Sequence, residues 1–315
     1  MAIKLGISAC LLGQNVRYDG GHRLDHYLKD TLGGFIEWIP VCPEVECGLP
    51  VPREAMRLVE ADGAVHLVTC QTGIDHTARM TRWAEQKCDA LGTQDLCGFV
   101  FKSRSPSSGM TAVKVYSKNG GVPRKNGVGL FAETFMRRFS LLPVEDEGRL
   151  NDSALRENFI ERVFVYSRWK TFDATDRTVN GLVAFHTDHK LLIMAHSTRG
   201  LAELGNRAAN AHRKPLNALF HDYLAVLMAT LRLPATVKKN VNVLQHVLGY
   251  FKKLLSPDEK QEVLEILEAY RNNFLPLIVP ITLLNHYIRK FDQAYLKKQW
   301  FLHPHPVELM LRNHV

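Results

Sequence analysis

The 315-residue chain has no cysteine after position 97, and the first third holds all of its six: Cys10, Cys42, Cys47, Cys70, Cys88 and Cys97. It also lacks an apolar run of the roughly 20 residues that a membrane helix needs; the most apolar stretch, 275–284, is interrupted by two prolines. Its first residues lack the apolar core and cleavage site of a signal peptide. We therefore expect a cytoplasmic protein, in which clustered thiols are metal ligands, catalytic groups or buried side chains rather than disulfides.

Acidic residues are scarce in the second half of the chain. From residue 151 onward there are 22 Lys and Arg against 15 Asp and Glu, a net charge of +7, whereas residues 1–150 hold 18 and 17, a net charge of +1. Ten of the fourteen histidines also follow residue 150. This asymmetry indicates a polyanionic partner such as RNA, although a basic helical domain with scattered surface lysines has the same composition.

The first half alternates strand and helix patterns. Short apolar runs predict strands at 3–8, 35–41, 65–69, 97–102 and 113–116, and helical spacing covers 24–31, 75–91 and 127–139. This alternation predicts an α/β domain, 1–146, with a mostly parallel, Rossmann-like sheet. The pattern stops at 142–150, where a proline and a run of acids suggest a connector.

Helical patterns dominate the rest of the chain. They predict an all-α domain, 151–315, with helices at 153–169, 189–196, 201–231, 236–255, 258–274 and 278–291. Ser256-Pro257-Asp258-Glu259 is a strong start signal for one of them, because it combines a cap, a proline at the first helical position and acids in the first turn.

Unusual segments follow three of the predicted strands. They are Ser-Ala-Cys-Leu-Leu-Gly (8–13) with Val-Arg-Tyr-Asp-Gly (16–20), Cys-Pro-Glu-Val-Glu-Cys-Gly-Leu-Pro (42–50), and Lys-Ser-Arg-Ser-Pro-Ser-Ser-Gly (102–109). Because sites in open α/β sheets form beyond the carboxyl ends of the strands, we expect these loops to converge. The candidate substrate-contacting residues in them are Tyr18, Asp19, Lys102, Ser103, Ser107 and Ser108.

Cys10, Cys42 and Cys47 are the thiols expected to meet at that edge. An iron–sulfur cluster with three protein ligands is one interpretation. A zinc site, a reactive thiol and ordinary buried cysteines are the alternatives, and spacing alone does not decide among them. Cys70, Cys88 and Cys97 are expected to be structural, since Cys88 lies on the apolar face of a helix and Cys97 at the far end of a strand.

Two carboxylates and three hydroxyls are candidates for proton transfer and anion binding. Glu44 and Glu46 would face the same way in an extended loop, and one of them could donate or accept a proton. Ser105, Ser107 and Ser108 could bind an anion with hydroxyl and backbone N–H groups. A solvated carboxylate and a plain turn are the alternatives.

A second candidate region lies in the helical half. Lysines, amides and an aromatic share one predicted helix, a pattern suited to gripping phosphates and stacking bases of RNA, although a solvated helix face has the same appearance. The candidate RNA-binding residues are Lys190, Lys238, Lys239, His246, Tyr250, Lys252 and Lys253.

The three N-terminal segments resemble the thiouracil desulfidase (TudS) family. The second half, with His-Lys-Leu-Leu (189–192), Asn-Val-Leu-Gln-His (242–246) and Gly-Tyr-Phe (249–251), resembles the helical domain often fused behind it, as in RudS-type tRNA 4-thiouridine desulfidases. The resemblance implies a 4Fe-4S cluster held by three cysteines, with an open iron that binds the sulfur of a thiolated base while water replaces it. It also implies that Glu44 handles protons and that Ser105 positions the base or the water, both as catalytic residues, and that the partner is thiolated tRNA.

The chain departs from the family at one position. Relatives commonly have Ser-Pro-Ser-Cys-Gly, which would supply the third cysteine, whereas this chain has Ser108 there. Cys10 and Cys42 carry over directly. We therefore hypothesise Cys47 as the third ligand, with Cys97 as the alternative.

Two other functions fit the sequence less well. A zinc-dependent nucleobase hydrolase or deaminase would need a Pro-Cys-x-x-Cys segment, which 42–47 does not match. A non-enzymatic iron–sulfur RNA-binding sensor would bind RNA without turnover.

Overall fold

The computed structural model of the protein describes residues 2–118 and 120–314. It divides into two compact units, Met1–Asp152 and Ser153–Val315. The N-terminal unit is α/β with a parallel sheet and the C-terminal unit is helical, so the predicted fold class is confirmed. No helix in the described ranges has both the length and the hydropathy of a membrane span.

The strands of the N-terminal unit form two four-stranded sheets. In chain order they are β1 (Lys4–Ser8), β2 (Glu37–Val41), β3 (Met56–Ala61), β4 (Ala64–Thr69), β5 (Leu96–Phe101), β6 (Val113–Ser117), β7 (Arg124–Gly127) and β8 (Val144–Asp146). The first sheet has the order β2-β1-β5-β8 and is entirely parallel. The second has the order β4-β3-β6-β7 and is mixed.

The core of this unit is built around β5. All six of its residues are buried, as expected for a central strand covered on both faces. Phe99 and Phe101 stack at 4.4 Å between ring centroids and pack against Phe131 and Phe135. The unit's helices are α1 (Pro43–Glu46), α2 (Thr77–Gly92) and α3 (Leu130–Arg138).

The second sheet was not predicted as a separate element, and two of its strands were missed. Strand β3 is interrupted by the charged residues Arg57 and Glu60, and β7 is polar and mostly exposed, so neither contains a long apolar run. A local signal was nevertheless present. Asp62 and Gly63 both have positive φ, 52° and 78°, and form the two-residue turn of the β3–β4 hairpin, for which Asp-Gly is a preferred sequence.

Two other expectations for this unit were wrong. Residues 24–31 do not form an α-helix; the chain there makes a π-helical turn at Tyr27–Thr31 followed by a 3-10 turn, because two glycines follow at 33 and 34. The supposed connector at 142–150 contains β8, the edge strand of the first sheet. Glu145 and Asp146 are buried there because β8 pairs with β5.

The C-terminal unit contains eight α-helices in the part of the chain that is described. They are α4 (Ser153–Thr175), α5 (Val179–His196), α6 (Thr198–Ala209), α7 (Leu216–Leu231), α8 (Val237–Gly249), α9 (Pro257–Arg271), α10 (Ile278–Lys290) and α11 (Ala294–Lys297). The expected single helix at 201–231 is two helices, because Pro215 cannot continue a helix and caps α7 instead. The predicted start signal at Ser256 is confirmed, and the structure shows that its cap is a capping box with Glu259.

A buried polar network crosses the helical unit. Glu161 on α4 contacts His196 Nε2 at 2.5 Å and Arg312 Nη2 at 3.2 Å. Burial alone would raise the pKa of Glu161, but these two partners lower it to about 2. Arg168 Nε donates to His189 Nε2 at 3.1 Å, and burial holds the pKa of His189 well below its ordinary value. Histidines 186, 189 and 196 are thus structural groups of this unit.

Candidate functional site

The carboxyl ends of β1, β2 and β5 meet at one edge of the first sheet. Strand β1 lies between the other two, and all three run parallel. Because the chain passes from β1 to β2 on one side and later to β5 on the other, this edge is a topological switch point, where ligands of such sheets bind. The Ser8 hydroxyl accepts a 2.8 Å hydrogen bond from the Lys102 backbone N–H, which ties two of the loops together. The predicted convergence of the loops is confirmed.

A cavity of about 900 Å³ opens at this edge. It has the size of an enzyme's small-molecule pocket. Eight of the predicted site residues line it: Cys10, Tyr18, Cys42, Glu44, Lys102, Ser103, Ser105 and Ser108. Asp19, Cys47 and Ser107 do not. Asp19 is exposed and accepts a hydrogen bond from the Gly21 N–H within its own loop.

Two thiols face the cavity. Both belong to buried residues, Cys10 and Cys42, with 8% of each exposed. Burial raises the pKa of Cys10 to about 11. Burial and, after it, the nearby charge of Glu44 raise the pKa of Cys42 to about 12. Both groups are therefore neutral thiols at pH 7, and a metal that binds them must displace their protons.

Cys47 lies at the other end of α1 from Cys42. The two residues flank this short helix, so their separation of five positions corresponds to roughly 7.5 Å along the axis and a rotation of about 140°. Cys47 Sγ donates to the Glu44 carbonyl at 3.2 Å and packs against the apolar cluster beneath the second sheet. The sequence alone suggested a loop in which both thiols reach one place, but the helix turns them to different sides.

The same helix separates Glu44 from Glu46, which were expected to face the same way. Glu46 accepts from the Cys42 N–H at 2.9 Å and pairs with Lys87 at 2.8 Å. Glu44 instead lines the cavity. Only one of the two carboxylates is therefore placed to exchange a proton with a ligand in the cavity.

Glu44 is held by contacts from two sides. The Ser107 hydroxyl donates to Glu44 Oε1, and the guanidinium of Arg53 lies 3.7 Å from Oε2. Ser105 Oγ lies 2.9 Å from Ser107 Oγ, and Cys42 Sγ lies 3.5 Å from Glu44 Oε2. Ser105, Ser107, Glu44 and Cys42 thus form a continuous chain of exchangeable protons, of which Ser105, Glu44 and Cys42 line the cavity and Ser107 lies buried behind it.

The loop at 105–109 is fixed by α3. The Ser107 carbonyl accepts from the backbone N–H groups of Phe131 and Ala132 at 2.9 and 3.2 Å, and so satisfies the start of that helix. Gly109 is required for the tight turn, because a Cβ there would lie 2.7 Å from the Ser105 carbonyl oxygen. The serine hydroxyls are therefore positioned by rigid neighbours.

Lys102 and Ser103, which also line the cavity, are tied to Glu147. The Lys102 ammonium pairs with the Glu147 carboxylate, which also accepts from the Ser103 N–H and hydroxyl, both at 2.7 Å. The acid run of the supposed connector therefore supplies part of the site. Asp146 also lines the cavity, and burial raises its pKa.

Arginines that sequence reasoning did not single out dominate the cavity's charge. Six cations line it, against the acids Glu44, Glu54 and Asp146. The cations are Arg17, Arg23, Arg53, Lys102, Arg104 and Arg149. Arg17 and Arg104 lie inside the motif segments and Arg53 lies three residues after one of them, so their position in or next to those motifs was the available signal. Four of the six are ion-paired, Arg17 with Asp19, Arg53 with Glu44, Lys102 with Glu147 and Arg149 with Glu145. Arg23 and Arg104 have no ion pair within the described part of the chain, which suits a substrate that carries phosphate.

The candidate RNA-binding residues of the helical unit are mostly exposed. Lys190 lies on α5, three others on α8, and the remainder in the turn after it. The ammonium of Lys239 is engaged by the carbonyls of His196 and Pro234, both at 2.8 Å. Tyr250 stacks on Tyr295 at 5.3 Å. Their role in binding RNA stays a prediction.

No group of three or more His, Cys, Asp or Glu residues among residues 2–118 and 120–314 is close enough to hold a metal ion. The cavity brings two of the three hypothesised cluster ligands together. Cys97, the alternative third ligand, is buried in β5, as its strand assignment predicted.

Two family profiles match the chain, one in each half. The 2-thiouracil desulfurase family matches residues 5–147. A family described as protein of unknown function (DUF1722) matches residues 190–306.

Two individual proteins are similar to parts of the chain. A solved structure of the 4Fe-4S-dependent thiouracil desulfidase TudS is 35% identical, over 49% of this chain and 97% of that one, with a TM-score of 0.39. The uncharacterized protein YbgA of Escherichia coli K12 is 28% identical over 166 residues, which are 52% of this chain and 95% of that protein.

Proposed function

The chain belongs, through residues 5–147, to the 2-thiouracil desulfurase family, and from that premise we propose that it is an iron–sulfur tRNA 4-thiouridine desulfidase. The reaction exchanges the sulfur of a thiocarbonyl for the oxygen of water and releases sulfide, with no net gain or loss of electrons. The observation that carries the proposal is the cavity in which Cys10, Cys42, Glu44 and Ser105 meet. The six cysteines of the protein are all free thiols, which suits the reducing cytoplasm, where we place the protein.

The residues of the cavity fit a 4Fe-4S cluster in part. Cys10 and Cys42 offer two thiols at the carboxyl edge of the sheet, and thiolate is the ligand that such clusters use. A third thiol does not line the cavity. Cys47, on the same short helix as Cys42, is our proposed third ligand, and its Sγ would have to leave the Glu44 carbonyl. When bound, the cluster would supply an iron that takes up the substrate's sulfur.

The protein's own groups would handle the protons. Glu44 receives a hydrogen bond from Ser107 and faces the cavity, so it can take a proton from the attacking water. Ser105 Oγ lies next in the same chain of hydrogen bonds and also lines the cavity, which suits it to orient the base or the water. The lysine and arginines of the cavity wall would hold the negative charge of a nucleotide.

Charge supports a polynucleotide over a free base. A free thiouracil carries no phosphate, whereas the cavity is lined by two arginines, Arg23 and Arg104, that have no ion pair among the described residues. The second half of the chain adds an excess of seven positive charges. We propose that the helical unit supplies affinity for tRNA, which would offset the cost of a few kcal/mol of turning a stacked base out of the RNA.

The decisive experiment is the iron and acid-labile sulfide content of protein purified without oxygen, together with turnover on tRNA that contains 4-thiouridine. We expect close to four of each per chain, and conversion of thiouridine to uridine with release of sulfide. One zinc per chain in colourless protein would favour a zinc hydrolase. An intact cluster that binds RNA without turnover would favour a sensor. Either result would overturn the proposal.

A further inference from the structure

The outer face of the second sheet carries cations. Along β3 and β6, Leu58, Val113 and Val115 are buried against Met80 of α2. The intervening residues face outward, among them Arg57 and Lys114, which are exposed, and Tyr116. The two strands are neighbours, with Leu58 beside Val115 and Val59 beside Tyr116. Side chains of both strands therefore line one outer surface.

A hollow of about 570 Å³ lies on this surface. Four cations line it, Arg57, Arg104, Lys114 and Lys125, and none of its lining residues is an Asp or Glu. All four are exposed. Within the described part of the chain, the side chain of none of them has a hydrogen bond or an ion pair, and that of Arg57 stacks on the ring of Tyr116 at 5.3 Å.

The grouping of cations without acids is a local feature. Some exposed arginines of the unit are paired, as Arg124 is with Glu60 and Arg137 with Glu85, and others, such as Arg82, have no ion pair but do not line the hollow. The first 150 residues are almost neutral, with 18 Lys and Arg against 17 Asp and Glu. Four unpaired cations around one hollow are therefore not explained by a general excess of positive charge. Such mutual repulsion is relieved when an anion binds among them.

The hollow adjoins the cavity of the candidate site. Met56, Arg104, Pro106 and Ala112 line both. Arg104 has a positive φ of 58° and is exposed where the two meet. A chain of nucleotides lying in the hollow would thus lead directly to the place where Cys10 and Cys42 face the cavity.

We propose that this hollow binds the phosphodiester backbone of the nucleotides next to the base that enters the cavity. The proposal rests on the proposed function and deepens it, because it assigns part of the RNA contact to the desulfidase unit itself. Arg57, Arg104, Lys114 and Lys125 bind phosphates, and Tyr116 offers a ring on which a neighbouring base stacks. Cations that track a backbone beside an aromatic platform are how single-stranded nucleic acid is held.

The test is the binding of unmodified tRNA to the full-length, cluster-loaded protein, measured by fluorescence anisotropy over a series of salt concentrations. The variant is Lys114→Glu with Lys125→Glu. The matched control is Lys29→Glu with Arg82→Glu, which makes the same change in net charge at exposed residues outside the hollow. Turnover of free 2-thiouracil and of thiolated tRNA is measured in parallel.

We expect the variant to bind tRNA about tenfold more weakly, with a log–log salt slope shallower by about two, because two phosphate contacts are lost. Turnover of the free base should be unchanged and the control should bind almost normally. Equal binding by variant and wild type, or an equal loss in the control, would overturn the proposal. Since binding is measured without turnover, a failure of the proposed reaction would be seen separately, as wild-type protein that binds tRNA but releases no sulfide.

Discussion

At the residue scale, the three proposed cluster ligands differ in where their thiols lie. Cys10 and Cys42 face one cavity, whereas Cys47 packs beneath the second sheet. Cys47 is thus the one proposed ligand that does not line the cavity. A single substitution tests its role directly.

We expect Cys47→Ala to lower the iron content of anaerobically purified protein to less than half, because a cluster with two thiolate ligands is lost readily. Adding Ser108→Cys to this variant should restore iron, since Ser108 lines the cavity together with Cys10 and Cys42. Cys70→Ala, at an exposed thiol, is the control. Full iron content in Cys47→Ala would exclude Cys47 as a ligand.

We expect Glu44→Gln to reduce turnover by about 10²- to 10⁴-fold, the usual range for the loss of a general acid–base group. Iron content should not change, since the amide oxygen can still accept from Ser107. Glu46→Gln is the matched control, because that carboxylate bonds to the Cys42 N–H and Lys87 outside the cavity. Single-turnover rates of the two variants measure the difference; similar rates would mean that Glu44 has no role in proton transfer.

At the scale of elements, the positions of the site's side chains depend on hydrogen bonds between the loops and neighbouring helices and strands. Helix α3 binds the Ser107 carbonyl with its first N–H groups. Lys102 N–H is bound to Ser8 at the end of β1. The loops that follow β1 and β5 are therefore held by neighbouring elements, which preorganises the hydroxyls that they carry.

We expect Gly109→Ala to lower turnover by about tenfold or more while iron content is retained. The new Cβ would meet the Ser105 carbonyl at 2.7 Å and Val113 Cγ2 at 2.5 Å, so the loop must shift, and small misplacements of catalytic groups are costly. Gly34→Ala is the control, since no atom lies within 4 Å of its new Cβ. If both variants turn over substrate at the wild-type rate, the loop tolerates the shift and Ser105 is not critically positioned.

At the scale of the whole molecule, buried histidines of the helical unit make its stability depend on pH. The helical unit holds His186 and His305 in their neutral form. Burial lowers the pKa of His186 and of His305 to about 4 each. In the unfolded chain these groups take up protons near pH 6.5, so folding becomes less favourable as the pH falls below that value.

We therefore expect the free energy of unfolding of the helical unit to fall between pH 6.5 and 4, by on the order of 2 kcal/mol for each such histidine. Glu161, with its pKa lowered to about 2, should extend the loss from about pH 4.5 downward. Hydrogen exchange of helical-unit amides as a function of pH measures this. His186→Gln should flatten the dependence and His221→Gln, at an exposed site, should not; an unchanged profile in His186→Gln would contradict the assignment.

The division of labour proposed for the two halves predicts a difference in salt dependence. Turnover of thiolated tRNA at low substrate concentration should fall steeply with salt, because phosphate contacts release counterions. Turnover of a free thiolated base should be almost insensitive to salt. Steady-state rates between 50 and 200 mM salt measure both. Equal sensitivity would count against a polynucleotide substrate held by its backbone.

Local sequence patterns alone determine some features of this protein. Buried runs such as Leu96–Phe101 have few alternatives to a central strand, and the Ser256 capping box acts within one turn. The fold class and the convergence of three loops follow from such local patterns, because parallel strands place their carboxyl ends at one edge. The family membership rests on segments within the same loops.

Other features were decided only by the tertiary structure: the sides to which side chains turn, which charged residues are buried, and which distant residues lie together. A four-residue helix turned Cys42 and Cys47 to different sides, and pairing with β5 buried an acid run that had suggested a connector. The cationic hollow joins residues of β3, β6, β7 and the loop after β5, which are up to 68 positions apart between Arg57 and Lys125. Such groupings depend on long-range pairing and burial, which no local pattern in a single sequence encodes.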